Sequence, residues 1–321
     1  VNAATAPDQS RSSEAPPQAQ QAEIVEQAFQ LVLGQQGDPS TACAYLGTTA
    51  DGLRAELDDL DVPWPESLRV GVEDDRVVAA VLVEHDEETG RSWVHGPWTA
   101  DDAAWSRWAD VLLDAALAQT PDGVDDHELC AAPANRRVAA LAASRGWPAG
   151  DVNIVYVARS GDGWPASHEA VRSAIPEDLA ELTRLHDDAF PGTYATARQL
   201  LTDPDRTTLV LDRDEAVLGY ASAEVQPDGA GYLDFVAIAA TSRGRGLGRA
   251  LVADIARQVL ARPGVDAVRL TVEGSNTPAV ALYESLGFVR EAELVGYRSA
   301  RGLDQLDQHA AGVLGVDEVD A

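Results

Sequence analysis

Lysine and methionine are both missing from this 321-residue chain, so all 24 of its basic residues are arginine. Without lysine there can be no Gly-Lys-Ser/Thr phosphate loop. Cysteine is nearly missing too. Cys43 and Cys130 lie far apart with no paired spacing, which points to a reducing compartment and argues against a disulfide framework or a cysteine zinc site. The six histidines (His85, His95, His127, His168, His186, His309) show neither HxH nor HxxxH spacing, so no metal site is expected. No apolar run approaches the ~20 residues that a membrane span needs. The start shows neither a basic n-region nor an apolar h-region, so a cytoplasmic location is expected. What the chain has in excess is negative charge: 53 acidic residues and a net charge of −29. Such a surface repels nucleic acid and anionic membrane and favours cationic acceptors. It equally suits solubility in a salty cytoplasm.

Against that background, three arginines crowd one glycine-rich turn, Arg243-Gly244-Arg245-Gly246-Leu247-Gly248-Arg249. An apolar run, Tyr232 to Ile238, leads into it and reads as a buried strand. Leu247, Leu251, Ile255 and Val259 follow at helical spacing, closed by Pro263-Gly264. The turn therefore sits at a strand-to-helix junction, where main-chain N–H groups lack intrahelical partners. Glycines at 244, 246 and 248 let an anion approach those amides closely, at the positive end of the helix dipole. This predicts a pyrophosphate cradle. The dinucleotide fingerprint does not fit it, because the third glycine position is Leu251. Farther on, Val265 to Val272 reads as a strand. Asn276-Thr277-Pro278 starts a helix through Leu286, which Gly287 stops before Phe288 returns to the core.

Arg-x-x-Gly-x-Gly after a strand, followed by Asn276 and Ala-Leu-Tyr-Glu-Ser-Leu-Gly-Phe ending at Phe288, resembles the GNAT N-acetyltransferase superfamily. The resemblance covers roughly Glu169 to Arg298. It implies acetyl-CoA as co-substrate, no metal, and transfer of an acetyl group to a primary amine of a small molecule or an amino-terminus. Residues 243 to 249 would hold the diphosphate, and main-chain N–H groups near Val236, Ala237 and Ile238 would polarise the acyl carbonyl. Asn276 would contact the pantetheine arm or simply cap its helix.

The signature Asn-x5-Leu-x4-Gly-aromatic occurs twice. A shift of 141 residues sets Asn135 on Asn276, Leu141 on Leu282, Gly146 on Gly287 and Trp147 on Phe288. At the same shift Arg243 to Gly248 face Asp102 to Arg107, where the glycines are gone, and Tyr283 faces Ala142. The expected fold is α/β (α+β): two tandem GNAT domains, each a mixed, mostly antiparallel twisted sheet flanked by helices. The divisions read as a disordered arm (1–20), a degenerate copy (21–158), a linker (159–166), the catalytic copy (167–300) and an acidic tail (301–321). This organisation is similar to that of mycothiol synthase, a tandem with one working site. The chain departs from that enzyme in its erased first glycine loop and in lacking the acidic residue usual at position 232. An acyl-CoA-binding protein without turnover is the alternative from another class.

Amine acetylation needs a neutral nucleophile, and freeing a lysine-type amine at pH 7 costs ~4–5 kcal/mol. Strict alternation would put Tyr232, Asp234, Val236 and Ile238 on one strand face, making Asp234 the first candidate base, or else a residue that orders a loop arginine or meets the substrate as a counter-ion, and Glu224 the second candidate base. Thr271 stands where family members often have a glutamate. Tyr283 resembles the superfamily tyrosine that protonates the departing thiolate, and a phenol of reference pKa ~10 suits that role. The segment from His186 to Tyr194 is expected to overhang the acceptor.

Overall fold

The computed structural model describes residues 18–60, 62–87, 90–191, 193, 195–213 and 216–299. The acidic tail lies outside them, as does most of the expected N-terminal arm, whose residues 18–20 already belong to the first helix.

The first half runs α1 (Gln18–Gln36), α2 (Ala50–Asp58), α3 (Trp64–Ser67), β1 (Arg69–Glu73), β2 (Arg76–Asp86), β3 (Arg91–Thr99), α4 (Asp102–Leu117), β4 (Asp126–Ala131), α5 (Arg136–Ser144) and β5 (Ala149–Ala158). The second half runs β6 (Val171–Ser173), α6 (Leu179–Ala189), α7 (Ala197–Thr202), β7 (Thr207–Arg213), β8 (Ala216–Val225), β9 (Gly231–Ile238), α8 (Leu247–Leu260), β10 (Val268–Glu273), α9 (Thr277–Ser285) and β11 (Val289–Arg298). Local chemistry sets several boundaries. Asp74 and Asp75 both take positive φ, 47° and 59°, as a two-residue hairpin turn between β1 and β2 requires. Gly146 and Gly287, at φ 70° and 80°, end α5 and α9.

The repeat is visible in the backbone. Asn135 and Asn276 cap α5 and α9 in the same conformation (φ −76° at both, ψ 79° and 68°), each accepting from the N–H three residues on. In both halves the central pair is parallel, β3 with β4 and β9 with β10, whereas the hairpins are antiparallel.

The expected pair of sheets is instead one eleven-stranded sheet, ordered β1-β2-β3-β4-β11-β5-β10-β9-β8-β7-β6. The terminal strands have crossed over: β5 pairs with β10, and β11 pairs with β4, while β5 and β11 pair with each other. Each core therefore contains a strand from the other half. Val295 and Tyr297 lie in the first core, and Ile154, Tyr156 and Ala158 in the second. The joining segment is docked as well. Trp164 stacks on Phe288 with ring centroids 6.0 Å apart and donates its indole N–H to the Leu286 carbonyl at 2.6 Å.

In the second half the sheet is covered on both faces. Leu251, Ile255 and Val259 of α8 are fully buried against one face with Leu233, Val236 and Ile238. Burial of each such side chain is worth about 1.5–3 kcal/mol. Leu182 and Leu185 of α6 and Leu200 of α7 cover the other face with Tyr220, Phe235 and Ala237.

Candidate active site

Strands β9 and β10 are hydrogen-bonded only at their start, through Gly231–Val268 and Tyr232–Arg269. Beyond Tyr232 they diverge, and β9 continues in register with β8 alone. The Ala239 N–H donates to the Leu218 carbonyl on the β8 side at 2.8 Å. By alternation the Ala237 main chain also faces β8, whereas the N–H groups of Val236 and Ile238 face the opening. Two of the three expected donors thus line the cleft, and Ala237 does not.

At the top of the cleft α8 begins without a side-chain cap. Its N-cap is Gly246 at φ 75°, preceded by Gly244 at φ 71°. A Cβ built at either glycine would meet nothing within 4 Å, so the ground in front of these amides is open. Gly248 differs: a Cβ there would touch Leu282 at 3.4 Å and Ile238 at 3.6 Å, so this glycine serves close packing of α8 on α9 and β9. Leu247 is a core residue that offers only its N–H. The three arginines also divide. Arg243 Nε donates to the Ile238 carbonyl at 3.0 Å, tying the loop to the strand end. Arg249 reaches Ser285 on α9, and Arg245 is exposed at the open turn. A diphosphate fits this cradle.

The side-chain oxygen of Asn276 accepts the Ala279 N–H at 3.2 Å, capping α9. Its twin Asn135 caps α5 in the same way, accepting the Val138 N–H at 3.1 Å, in the half that lacks the glycine loop. Tyr283 is on α9, 5% exposed, between Tyr156 (centroids 6.3 Å apart) and Phe288 (6.0 Å). Burial, and next the neighbouring Tyr232, push its hydroxyl pKa up, so it carries its proton at neutral pH. Because Tyr156 comes from β5, the crossed strand of the first half forms part of the wall behind Tyr283.

The expected alternation of β9 fails at Asp234. Across from β8, Ala223 pairs with Leu233 and Ser222 with Phe235, so Asp234 is the extra residue of a β-bulge. The bulge puts Leu233 on the face of Val236 and Ile238, and Tyr232 on the opposite face. Asp234 is held by Arg206, whose Nη1 lies 2.7 Å from its carboxylate, with the two side chains 3% and 7% exposed. The other Arg206 nitrogen reaches Glu224 at 2.7 Å, and Asp203 stands 3.9 Å away. Arg206 escaped sequence reasoning because nothing in its local pattern joins it to positions 224 and 234. Burial and then the Asp234 charge hold the Glu224 carboxyl above its usual range, against the pull of Arg206. Tyr232, opposite Glu224 in the sheet, donates to Thr271 Oγ1 at 2.7 Å.

His186 is 1% exposed, inside the core rather than on an overhanging surface. It is locked between the Tyr220 hydroxyl at 2.5 Å and the Ala195 carbonyl at 2.8 Å, against Phe190 and Phe235. Burial lowers its pKa, and the Ala195 carbonyl only partly opposes this. Gly192 and Tyr194 of the same segment lie outside the described residues. The first half borders the site through α2: a Cβ on Gly52 would come within 3.9 Å of Asp228 Cβ, and Asp59 contributes to the field at Glu224. Among the described residues no group of three or more His, Cys, Asp or Glu could hold a metal ion, and no helix is long and apolar enough to cross a membrane.

Residues 174–288 match the family model described as the acetyltransferase (GNAT) family. The mycothiol acetyltransferase of Clavibacter sepedonicus is 28% identical over 84% of this chain and 84% of its own length. That of Thermomonospora curvata is 42% identical over 88 residues, 27% of this chain and 29% of the relative. Among solved structures, a GCN5-related N-acetyltransferase from Sphaerobacter thermophilus superposes with a TM-score of 0.61 at 18% identity, covering 89% of this chain and 94% of that one. A tandem GNAT protein from the clavulanic acid biosynthesis pathway gives 0.55 at 17% identity, over 87% and 95%. These two likenesses bear on the fold.

Proposed function

We propose that this chain, an acetyl-CoA-dependent N-acetyltransferase with a GNAT domain at residues 174–288, acetylates a primary amine of a small molecule or an amino-terminus by direct attack in a ternary complex. The mycothiol-related amine implied by the names of its relatives is the first acceptor to try. The observation that carries the reading is the coincidence of an uncapped α8 N-terminus, a β9–β10 opening and a buried, protonated Tyr283 in one half of the chain.

Acetyl-CoA, when bound, supplies an acetyl thioester. The α8 amides from Leu247 onward, with Arg245, would hold its diphosphate. The Val236 and Ile238 N–H groups are the donors available to an acyl carbonyl oxygen, and such fixed donors contribute roughly 3–4 kcal/mol each where charge develops. Tyr283 holds the proton that the departing sulfur needs, and its burial keeps water from competing for it. The Arg206 cluster supplies the negative charge that an ammonium acceptor would meet.

Mixing the protein with acetyl-CoA and a panel of primary amines, including deacetylated mycothiol, tests this while free thiol is followed with a thiol reagent. Both cysteines are buried, so the protein's own signal stays low. Thiol release that depends on the amine is expected. Acetyl-CoA binding without amine-dependent release from any member of the panel would contradict the reading and favour a binding protein without turnover.

A further inference from the structure

Position 232, in the last paired step of β9 and β10 before they diverge, carries a tyrosine bonded to Thr271, neither of which is a carboxylate. The carboxylates of this site are gathered around Arg206 instead: Asp234, Glu224 and Asp203 share one guanidinium, so the cluster keeps an excess of negative charge. Its members are not equivalent. Asp234 is buried at 3% exposure, anchored in the bulge with its oxygen on Arg206. Glu224 is directly across from Tyr232 in the β8–β9 ladder, and a third of its side chain is open. Of the two, only Glu224 has a side chain exposed enough to exchange a proton with solvent or a bound molecule.

We infer that Glu224 is the base that takes the acceptor's proton, with Arg206 and Asp234 as positioning residues that fix its orientation. This rests on the acetyltransferase activity proposed above. One proton passes from the acceptor nitrogen to a Glu224 oxygen and then to solvent. The C–N bond then forms as the C–S bond breaks; the sulfur takes its proton from Tyr283, and the second proton of the original ammonium leaves the nitrogen and, by way of solvent, restores the Tyr283 phenol, so charge and atoms balance. The groups that face Glu224 are Arg206, Asp203, Asp234, Tyr232 and, from the first half, Asp59. Apart from Arg206 and the phenol of Tyr232, each of these is a carboxylate, and burial together with those charges keeps the Glu224 carboxylate avid for a proton.

The test is the pH profile of kcat, using the amine that the wild-type protein acetylates fastest in the panel. Glu224→Gln is expected to lower kcat by about 10²-fold at pH 7, to abolish the acid limb, and to leave the acetyl-CoA affinity unchanged. Glu224→Asp should restore part of kcat together with that limb. Asp234→Asn should lose less than Glu224→Gln and move the limb to lower pH, because a negative charge beside Glu224 is gone. Should Glu224→Gln keep the wild-type limb with kcat within threefold, or should Asp234→Asn lose more than Glu224→Gln, the assignment is overturned. If the wild type binds acetyl-CoA yet acetylates nothing, the acetyltransferase reading falls and the assignment falls with it.

Discussion

Helices α4 and α8 occupy the same place in the two halves, and their first turns are built for opposite purposes. In α4 the helix is continuous from Asp102, and Asp101 caps it by accepting the Ala104 N–H at 2.8 Å. At the 141-residue shift, α8 starts four residues later, after a loop whose glycines hold positive φ and whose last member caps nothing. The first helix satisfies its amides with its own carboxylate, which also repels any other anion. The second leaves them to a ligand. The two halves keep matching caps on α5 and α9, and they differ at this turn.

Moving the carboxylate across is the most severe way to break that contrast. Gly246→Asp puts an acidic side chain at the α8 N-cap, where a left-handed Asp is tolerated but an anion is not. Loss of charge-assisted bonds plus repulsion should weaken acetyl-CoA by on the order of 10²-fold, as read by titration calorimetry. Tyr283→Phe sharpens the comparison from the other side, since Ala142 holds that place in the first half. A drop in kcat of about 10²-fold is expected with little change in acetyl-CoA affinity, because only the proton donor has gone. The reciprocal change in the first half, Asp101→Ala, should cost about 1 kcal/mol of stability by denaturant titration. It should leave acetyl-CoA binding as it was, since no glycine loop stands behind α4.

Much of this contrast can be read from the amino acids. Asn135 and Asn276, Gly146 and Gly287 expose the repeat because caps and stops are made by single residues, and the erased glycines of the first half are equally local. The crossing of β5 and β11 is not legible, since both are apolar strands that would fit either neighbour, and only the assembled sheet chooses. Nor is the Asp234 bulge, because one extra residue in a strand leaves the pattern of apolar residues nearly intact while reversing which face Tyr232 shares. The burial of His186 is not legible either, because its partners Tyr220 and Ala195 are brought to it only by the fold.

Two smaller effects finish the comparison. Asn135→Ala and Asn276→Ala should each cost about 1 kcal/mol, as matched caps do; a weakened acetyl-CoA affinity in Asn276→Ala alone would assign that residue a ligand contact beyond its cap. His186 has no counterpart role in the first half, and its folded pKa lies below the unfolded value of about 6.5. The unfolded chain therefore binds more protons below pH ~6.5. The stability linked to this group is fully present above that pH and diminishes as pH falls toward the depressed folded value. Thermal melts should show His186→Phe flattening this slope between pH 5 and 7.

Hydrogen–deuterium exchange with and without acetyl-CoA addresses the two turns together, amide by amide. Residues 245–250 should gain protection when acetyl-CoA is added, while 101–107, already closed by Asp101, should not change. Protection at 101–107, or none at 245–250, would contradict the account.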